Sequence, residues 1–402
     1  MSQPVPASEF RRGWPVVLAA ACGAGLGIAG LLTYSAGIFA KDLEIAIGLS
    51  RTSLGAAFFL ATVALALALP LAGWLVDRFG PRWPAFAGSL ALSGGFVLLG
   101  TVVHSVASYM SVMAGIGLLA ACSSPVAYTR AVNAVFDRSR GLALGLTQVG
   151  IGISAAIVPP VLAIVVAERG WQAGYLTLAI IAAFGIVPAL SLPDRRGNRL
   201  AMRATSGTAT GQMRSPLILQ LLACFGMMAL SFAGLLPHFV PMLREAGMDA
   251  RAAGALAGLI GASVIVSRVI VGWLADRIPA PLIAATCCGL CALGCIALAT
   301  GGSALAWVGA IALGTAMGAE ADLIGYLTAR YFGMANYGRL YAVQYASFML
   351  MAGTGPLWVG ALADQTGGYD AALWVTVAGM AISILLFLRL PTLRPGEAAA
   401  AA

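Results

Sequence analysis

The sequence predicts an all-α integral membrane protein with twelve transmembrane helices, arranged as two pseudo-symmetric bundles of six. Hydrophobic residues make up 60% of the 402 residues and charged residues only 9%, and the mean hydropathy is +0.92. A soluble domain carries about 25% charged residues, so this chain has too few to cover a surface that faces water. The pattern Gly-Trp-Leu-x-Asp-Arg begins at Gly73 and begins again 199 positions later at Gly272. This spacing, half of the chain length, indicates two similar bundles in tandem.

The apolar runs that predict the helices are each about 20 residues long, the length at which a helix spans a bilayer. We place them at 14–38, 51–76, 83–103, 107–129, 141–166, 173–192, 216–240, 251–275, 280–300, 304–329, 340–363 and 369–389. The first span follows a short polar segment with Arg11 and Arg12 and is too long for the core of a signal peptide. We therefore predict that it is not cleaved. Glycines at helical spacing, as at Gly23, Gly27 and Gly30, favour close packing between helices.

The segment 194–215 is the largest break in composition along the chain. It holds five arginines and no apolar run, so we predict a cytoplasmic linker between a bundle at 1–193 and a bundle at 216–402. Two further pairs of matched residues lie 196 positions apart: Phe136 with Phe332, and Gln148 with Gln344.

The positive residues predict the orientation. With the N-terminus in the cytoplasm, 17 of the 23 cationic residues fall in cytoplasmic segments and five fall in segments on the outer side. The remaining one, Arg268, lies within a predicted span. This asymmetry favours cytoplasmic positions for both termini. It also accounts for the net charge of +8, so we predict no nucleic-acid partner.

Other motifs argue against catalysis and cofactor binding. A literal dinucleotide fingerprint, Gly25-x-Gly-x-x-Gly30, lies in the middle of an apolar helix and lacks the preceding strand that the motif requires. Cys288, Cys291 and Cys295 share a helical face, but no His, Asp or Glu joins them in that helix. We read them as buried apolar residues rather than metal ligands. There is no Walker sequence, no HExxH and only two His, so we predict no cofactor, no metal and no enzyme.

Two loop motifs carry a resemblance to a known family. The segment from Gly73 to Arg82 resembles the signature loop between helices 2 and 3 of the major facilitator superfamily, with Pro81 in a usually basic position. The second copy is degenerate after Arg277. The segment 136–145 is similar to the loop before helix 5 in the monocarboxylate-porter branch, which includes oxalate–formate exchangers. The resemblance implies two six-helix bundles that rock about a central cavity, as in alternating-access transport.

The resemblance also implies a role for the signature loop as a cytoplasmic latch. Asp77 and Arg78 would pair with neighbouring helix ends in the outward-open state, or alternatively would only anchor helix ends at the interface. The residues assigned to this gating loop are Gly73, Asp77, Arg78, Gly80, Arg82, Asp276 and Arg277.

Arg268 is the leading candidate for substrate binding. It lies in predicted helix 8, eight positions before Asp276, and therefore roughly 12 Å inside the cytoplasmic end. An Arg at this depth costs a few kcal/mol and usually faces a cavity or a partner. Its planar fork of donors matches a carboxylate. Related porters hold the substrate carboxylate with an Arg in helix 8, and Arg268 aligns with it; the alternative is a buried ion pair that only joins helices.

Glu320 and Asp322 in predicted helix 10 are the candidate partners of Arg268. Two positions along a helix differ by about 200°, so both acids cannot face the same side. Burial away from water favours the neutral form of an unpaired carboxylate. Either acid could therefore couple transport to protons, whereas a permanent salt bridge is the alternative. Some of these porters place the coupling acid four residues before the Arg, where this chain has Val264.

The remaining polar candidates suit a substrate with one carboxylate. Oxalate exchangers also use a Lys in helix 11, but the only Lys here is Lys41, outside the membrane, and helix 11 offers Gln344 and Tyr345 instead. One central cation favours a monocarboxylate over oxalate. Gln148 and Gln344 could each bond substrate or hold helices together.

Two aromatic candidates lie toward the outer side. His238, near the outer end of helix 7, is either an outer gate or an interface residue bonded to a backbone carbonyl. Tyr34, in the outer half of helix 1, either lines the cavity or belongs to an aromatic belt.

We expect proton symport of a small organic acid by a monomer in the bacterial inner (plasma) membrane. A proton-driven drug or metabolite efflux antiporter and an oxalate–formate type exchanger are the alternatives.

Overall fold

The computed structural model describes residues 7–136, 140–193, 215–275, 277–332 and 337–391. Within these ranges the regular elements are α-helices and three short 3-10 helices, with no strand. The first half of the chain contains α1 (Ala7–Gly25), α2 (Ile28–Ser35), α3 (Ala40–Ile47), α4 (Arg51–Phe79), α5 (Arg82–Thr101), α6 (Val106–Leu119), α7 (Pro125–Asn133), α8 (Arg140–Phe184) and α9 (Ile186–Ser191). The second half contains α10 (Pro216–Phe232), α11 (Leu235–Glu245), α12 (Ala250–Ala275), α13 (Ala280–Gly301), α14 (Ala306–Phe332), α15 (Tyr337–Thr366) and α16 (Asp370–Leu388).

Nine stretches of the described ranges are long and apolar enough to cross a bilayer. Two of them, Leu142–Ser191 and Ala280–Phe332, each cover two of the predicted spans. Each is interrupted where the sequence predicts a loop, by a glycine with positive φ: Gly170 at 83° and Gly302 at 53°. Glycine adopts this left-handed conformation without steric cost, so it can end one span and begin the next. The predicted span 107–129 corresponds to the shorter apolar helix α6 followed by α7.

Four of the predicted spans are built from two helices rather than from one continuous helix. The breaks fall between Gly25 and Ile28, at the 3-10 turn Ala121–Ser123, at Gly185, and at Ala233 and Gly234. The first two breaks meet, because the backbone N–H of Ile28 donates to Oγ of Ser123 at 3.2 Å. A side chain at Gly27 would collide with the carbonyl oxygen of Ser123. Broken helices persist in membranes where protein groups bond the freed backbone, and they commonly occur near binding sites.

The chain divides into two compact units. The first contains residues up to Leu49 and Leu60–Asn198, and the second contains Ser50–Phe59 and residues from Arg199 onward. Residues 50–59, which include the first nine residues of α4, therefore group with the second unit. The predicted linker 194–215 lies outside the described residues except for Ser215, and the boundaries 1–193 and 216–402 stay a prediction.

Close packing of α12 on α14 positions the central charges of the second unit. A Cβ at Gly318 would lie 2.6 Å from the carbonyl oxygen of Val264, so only glycine allows this approach of the two backbones. The Ser267 hydroxyl donates to the carbonyl oxygen of Thr315 at 2.8 Å, and this hydrogen bond joins α12 directly to the backbone of α14. Arg268 follows Ser267 directly and is thereby held against α14.

Candidate functional site

Arg268 and Asp322 form an ion pair within the apolar helices α12 and α14. Nη1 of Arg268 donates to Oδ1 of Asp322 at 3.2 Å. The Arg268 side chain is 16% exposed, whereas the Asp322 side chain is 41% exposed. The cation is therefore more enclosed by the helices than its partner.

The guanidinium of Arg268 retains an unused donor. Its Nε is buried and has no hydrogen-bond partner among the described residues. A buried charged donor without an acceptor is costly, by more than the roughly 1–3 kcal/mol of a neutral group. A carboxylate that accepts from Nε and Nη2 would satisfy this edge while Nη1 stays with Asp322.

Glu320 lies two residues before Asp322 on α14 but in a different environment. It is buried, and its Oε2 has no hydrogen-bond partner among the described residues. Arg268 and Asp322 both act on it electrostatically. The structure thus separates the two acids: Asp322 holds the cation, and Glu320 is an enclosed carboxyl group beside that pair.

Tyr345 on α15 extends the charged cluster. Electrostatic interactions link it to Glu320 and Arg268. Its ring is stacked between two others, with centroid distances of 5.8 Å to Tyr341 and 6.1 Å to Phe348. The aromatic row holds Tyr345 beside the two charged groups.

The two glutamines of the repeat have different surroundings. Gln344 is buried on α15, and its Nε2 donates to Oγ1 of Thr328 on α14 at 2.9 Å. Thr328 in turn donates to the carbonyl oxygen of Ile324 at 2.6 Å, so Gln344 joins α15 to α14. Gln148 is half-buried on α8, and its Oε1 has no partner in the described part of the chain.

His238 is fully buried on α11, and both of its ring nitrogens are engaged. Nε2 lies 2.9 Å from the carbonyl oxygen of Pro356, and Nδ1 lies 3.1 Å from the hydroxyl of Tyr369. Tyr34 on α2 is half-buried and packs against the core of the first unit, which includes Tyr128. The hydrogen-bond partners of His238, Pro356 and Tyr369, are not members of the cluster around Arg268.

The arginines of the two signature loops have matching environments. Arg78 lies over the ring of Trp74 at 5.1 Å, and Arg277 lies over the ring of Trp273 at 4.0 Å. In each copy the cation stacks on the tryptophan four residues earlier. Such a contact contributes about 0.5–1 kcal/mol at an exposed site.

The rest of the predicted gating loop is only partly described. Nε of Arg82 donates to the carbonyl oxygen of Leu192 at 3.0 Å, and Gly80 has a φ of 82°, which ends α4. Gly73 has open space beside it. Asp276 and the side chain of Asp77 lie outside what the structure describes, so the latch stays a prediction.

The described ranges contain no group of three His, Cys, Asp or Glu side chains able to hold a metal ion. Cys288, Cys291 and Cys295 on α13 are buried thiols.

One polar cluster has no counterpart in the sequence-based predictions. Arg51, Glu245 and Asp364 form ion pairs at helix ends, with separations of 194 and 313 positions along the chain. Their only sequence signal is that each lies at the boundary of an apolar run.

The fold and the intramembrane ion pair together define a multi-pass membrane protein of the transporter class. A family model described as Major Facilitator Superfamily matches residues 17–324, and the chain belongs to that family. This confirms the predicted resemblance and the predicted fold class.

Similar proteins support the branch as well. The chain is 26% identical over 423 residues to monocarboxylate transporter 11 of Homo sapiens, covering 98% of this chain and 86% of the relative. It is 29% identical over 242 residues to an oxalate:formate antiporter of Oxalobacter formigenes, covering 58% and 55%. Among solved structures, a bacterial homolog of the human lysosomal transporter Spinster, inward-facing and occupied, matches with a TM-score of 0.73. It covers 96% of this chain and 97% of that chain at 14% identity, which shows a shared fold alone.

Proposed function

We propose that this protein is a secondary active transporter that moves a small monocarboxylate across the membrane by alternating access, with proton symport. The observation that carries the proposal is the enclosed guanidinium of Arg268, which has one donor held by Asp322 and a buried Nε with no acceptor among the described residues. A substrate carboxylate fits this edge in charge and in planar geometry. The names of the monocarboxylate and oxalate:formate relatives support the same chemistry.

A single carboxylate suits the cluster better than two. Arg268 is the only cation in the group formed with Glu320, Asp322 and Tyr345, and the one Lys of the chain is Lys41. A second substrate carboxylate would meet two protein acids and no second cation. We therefore favour a monocarboxylate over an oxalate-like dianion.

In this mechanism the two acids of α14 have separate tasks. Asp322, whose side chain is the more exposed of the ion pair, balances the charge of Arg268 when no substrate is bound. Glu320 is enclosed, and its Oε2 has no hydrogen-bond partner in the described ranges; this acid takes up the transported proton. Bound substrate adds a negative charge beside Glu320, and that charge favours the protonated form of the acid. Proton and substrate therefore bind together, as symport requires.

Glu320→Gln tests the proton-carrying step. The variant keeps the shape and loses the titration, so we expect uptake that an inward proton gradient no longer stimulates, with substrate exchange retained. The measurement is uptake into proteoliposomes with and without the gradient, beside counterflow of labelled substrate. Stimulation equal to that of the wild type would remove Glu320 from the coupling step.

Several features of the working protein belong to the same proposal. The excess of positive residues in predicted cytoplasmic segments supports cytoplasmic termini in a bacterial inner (plasma) membrane. We propose that the bundles 1–193 and 216–402 rock about the substrate site in a monomer. The signature loops, with Arg78 and Arg277, would latch the cytoplasmic side.

The decisive test is uptake of a panel of radiolabelled mono- and dicarboxylic acids into proteoliposomes. We expect gradient-stimulated uptake of a monocarboxylate, and its loss in an Arg268→Gln variant that inserts normally. Failure to take up any acid would contradict the proposal and would bring proton-driven efflux forward. Gradient-independent exchange of two anions would instead identify an exchanger.

A further inference from the structure

A shallow cavity lies at one end of the second unit, apart from the ion-paired site already described. Three apolar helices meet there, because α12 ends at Ala275, α13 begins at Ala280 and α14 ends at Phe332. Its lining combines apolar residues such as Ile278 with Arg330 and two tyrosines. The cavity is open on one side, so it can hold one end of a molecule but cannot enclose a whole ligand.

The two tyrosines fix the walls of this cavity. The Tyr326 hydroxyl donates to the carbonyl oxygen of Ala275 at 2.7 Å, which joins α14 to the end of α12. The Tyr331 hydroxyl donates to the carbonyl oxygen of Pro391 at 2.6 Å, which joins α14 to the segment after α16. Each phenol has one hydrogen to donate, and both hydrogens are used in these bonds. The walls are therefore held by the fold, and an anion in the cavity must find its donors in other side chains.

Arginine side chains supply such donors. Arg330 lines the cavity, and its guanidinium carbon lies 5.7 Å from the centre of the Tyr326 ring. Arg277, between α12 and α13, lies 4.0 Å from the centre of the Trp273 ring, and its Nη1 donates to the Trp273 carbonyl oxygen at 2.8 Å. Contacts of this kind orient a guanidinium, and its planar array of N–H groups matches the oxygens of a phosphate.

This end of the unit carries a net positive charge. The segments 274–282, 324–332 and 386–391 contain three arginines, of which the third is Arg389, and one acid, Asp276. Asp276 is not among the residues whose structure is described, but three positive charges less one negative charge leave +2. The start of α13 adds to the positive potential, because the N-terminal end of a helix dipole is positive.

Exposed apolar side chains adjoin the arginines. Trp273, Ile278 and Leu282 are all exposed, although they lie in or beside apolar helices. Tryptophan at the end of such a helix is typical of the boundary between lipid and water. A soluble anion would contact the arginines alone, whereas a phospholipid uses the cations for its phosphate and the apolar side chains for its acyl chains. The combination of the two surfaces favours a lipid.

We propose that this cavity binds an anionic phospholipid, with its phosphate at Arg330 and Arg277 and its acyl chains along Trp273 and Leu282. The proposed topology places the cavity at the cytoplasmic leaflet, whose anionic lipids attract basic segments. The bound lipid bridges the ends of α12, α13 and α14. It stabilises the folded protein, because a ligand that binds only the folded state lowers the free energy of that state.

Native mass spectrometry of the full chain in detergent measures this binding directly. The three probes are phosphatidylglycerol, which is anionic, phosphatidylcholine, which has a phosphate but no net charge, and glycerol phosphate, which has no acyl chains. We expect phosphatidylglycerol to stay bound and the other two to bind much more weakly. Equal binding of phosphatidylcholine would refute the role of charge. Glycerol phosphate that binds as tightly as the lipid would assign the cavity to a soluble phosphate instead.

Substitution of the arginines locates the site. Arg330→Gln and Arg277→Gln should each weaken phosphatidylglycerol binding about fivefold or more, the factor expected for one cation near an anionic lipid surface. Arg251→Gln is the matched control, because it removes the same charge from the exposed start of α12, at the opposite end of that helix. The control should bind as the wild type does. Wild-type binding by both site variants, or an equal loss in the control, would overturn the proposal.

The thermal midpoint gives a second readout, which also detects damage to the fold. In bilayers of phosphatidylcholine, added phosphatidylglycerol should raise the midpoint of the wild type and of Arg251→Gln but not that of Arg330→Gln. If Arg330→Gln does not fold, Arg277→Gln decides the question in its place, because the Arg277 side chain is exposed. A rise of equal size in every variant would show a general effect of surface charge and would contradict a specific site. None of these measurements needs a transported acid, so their outcome is independent of the proposed function.

Discussion

Replacing Arg268 by lysine separates a substrate-binding cation from a purely structural one. Lysine keeps the positive charge but replaces the planar fork with a compact ammonium group, whose three donors cannot pair side by side with both oxygens of a carboxylate. In the structure Nη1 is held by Asp322 at 3.2 Å, and the buried Nε has no acceptor within the described part of the chain. A carboxylate bound at the Nε–Nη2 edge therefore loses about one charge-assisted hydrogen bond in the variant. Such a bond contributes about 1.5–3 kcal/mol, which corresponds to a loss of affinity of about 10- to 150-fold.

The assay is the KM for gradient-driven uptake in proteoliposomes, together with equilibrium binding of the same labelled acid. Arg251→Lys is a matched control, because Arg251 lies at the exposed start of the same helix. The control should keep the wild-type KM. An unchanged KM and Kd in Arg268→Lys would mean that Arg268 only joins α12 to α14.

Three other substitutions test the packing, the glutamine and the topology. Gly318→Val should lower the thermal midpoint and the uptake rate, because overpacking costs about 1–3 kcal/mol where a Cβ already lies 2.6 Å from a carbonyl oxygen. Gly272→Val, which has open space, should change neither quantity, and equal effects of both would contradict the packing argument. Gln344→Leu should lower the thermal midpoint slightly, since an intramembrane hydrogen bond such as that to Thr328 contributes about 0.6 kcal/mol, while a rise in KM would instead assign Gln344 to the substrate. Thr205→Cys should react with an impermeant thiol reagent from the cytoplasmic side, and labelling from outside would reverse the proposed orientation.

Membrane insertion and the positions of most helices follow from local properties of the chain. A bilayer requires runs of about 20 apolar residues with satisfied backbone groups, and both requirements can be read from composition and spacing. The predicted span 251–275 coincides with α12, Ala250–Ala275, and 369–389 coincides with α16, Asp370–Leu388. The breaks within the first, fourth, sixth and seventh spans were not predicted. They depend on contacts between segments far apart in sequence, such as the one between Ile28 and Ser123.

The charged residues around Arg268 were likewise predicted only in part. The depth of Arg268 and the rarity of intramembrane charge mark it in the sequence as a candidate site. Its pairing with Asp322, and the enclosure of Glu320, depend on how closely α12 and α14 approach at Gly318. Helix spacing shows that the two acids point apart, but not which of them meets the cation.

The ion pairs of Arg51 could not be predicted from the sequence. Hydropathy specifies which segments enter the membrane, because each residue contributes to transfer free energy nearly independently of distant residues. Ion pairs such as Arg51 with Glu245 and Asp364 join residues 194 and 313 positions apart. No local pattern encodes such a pairing, since it exists only after the faces of three helices have been brought together by packing.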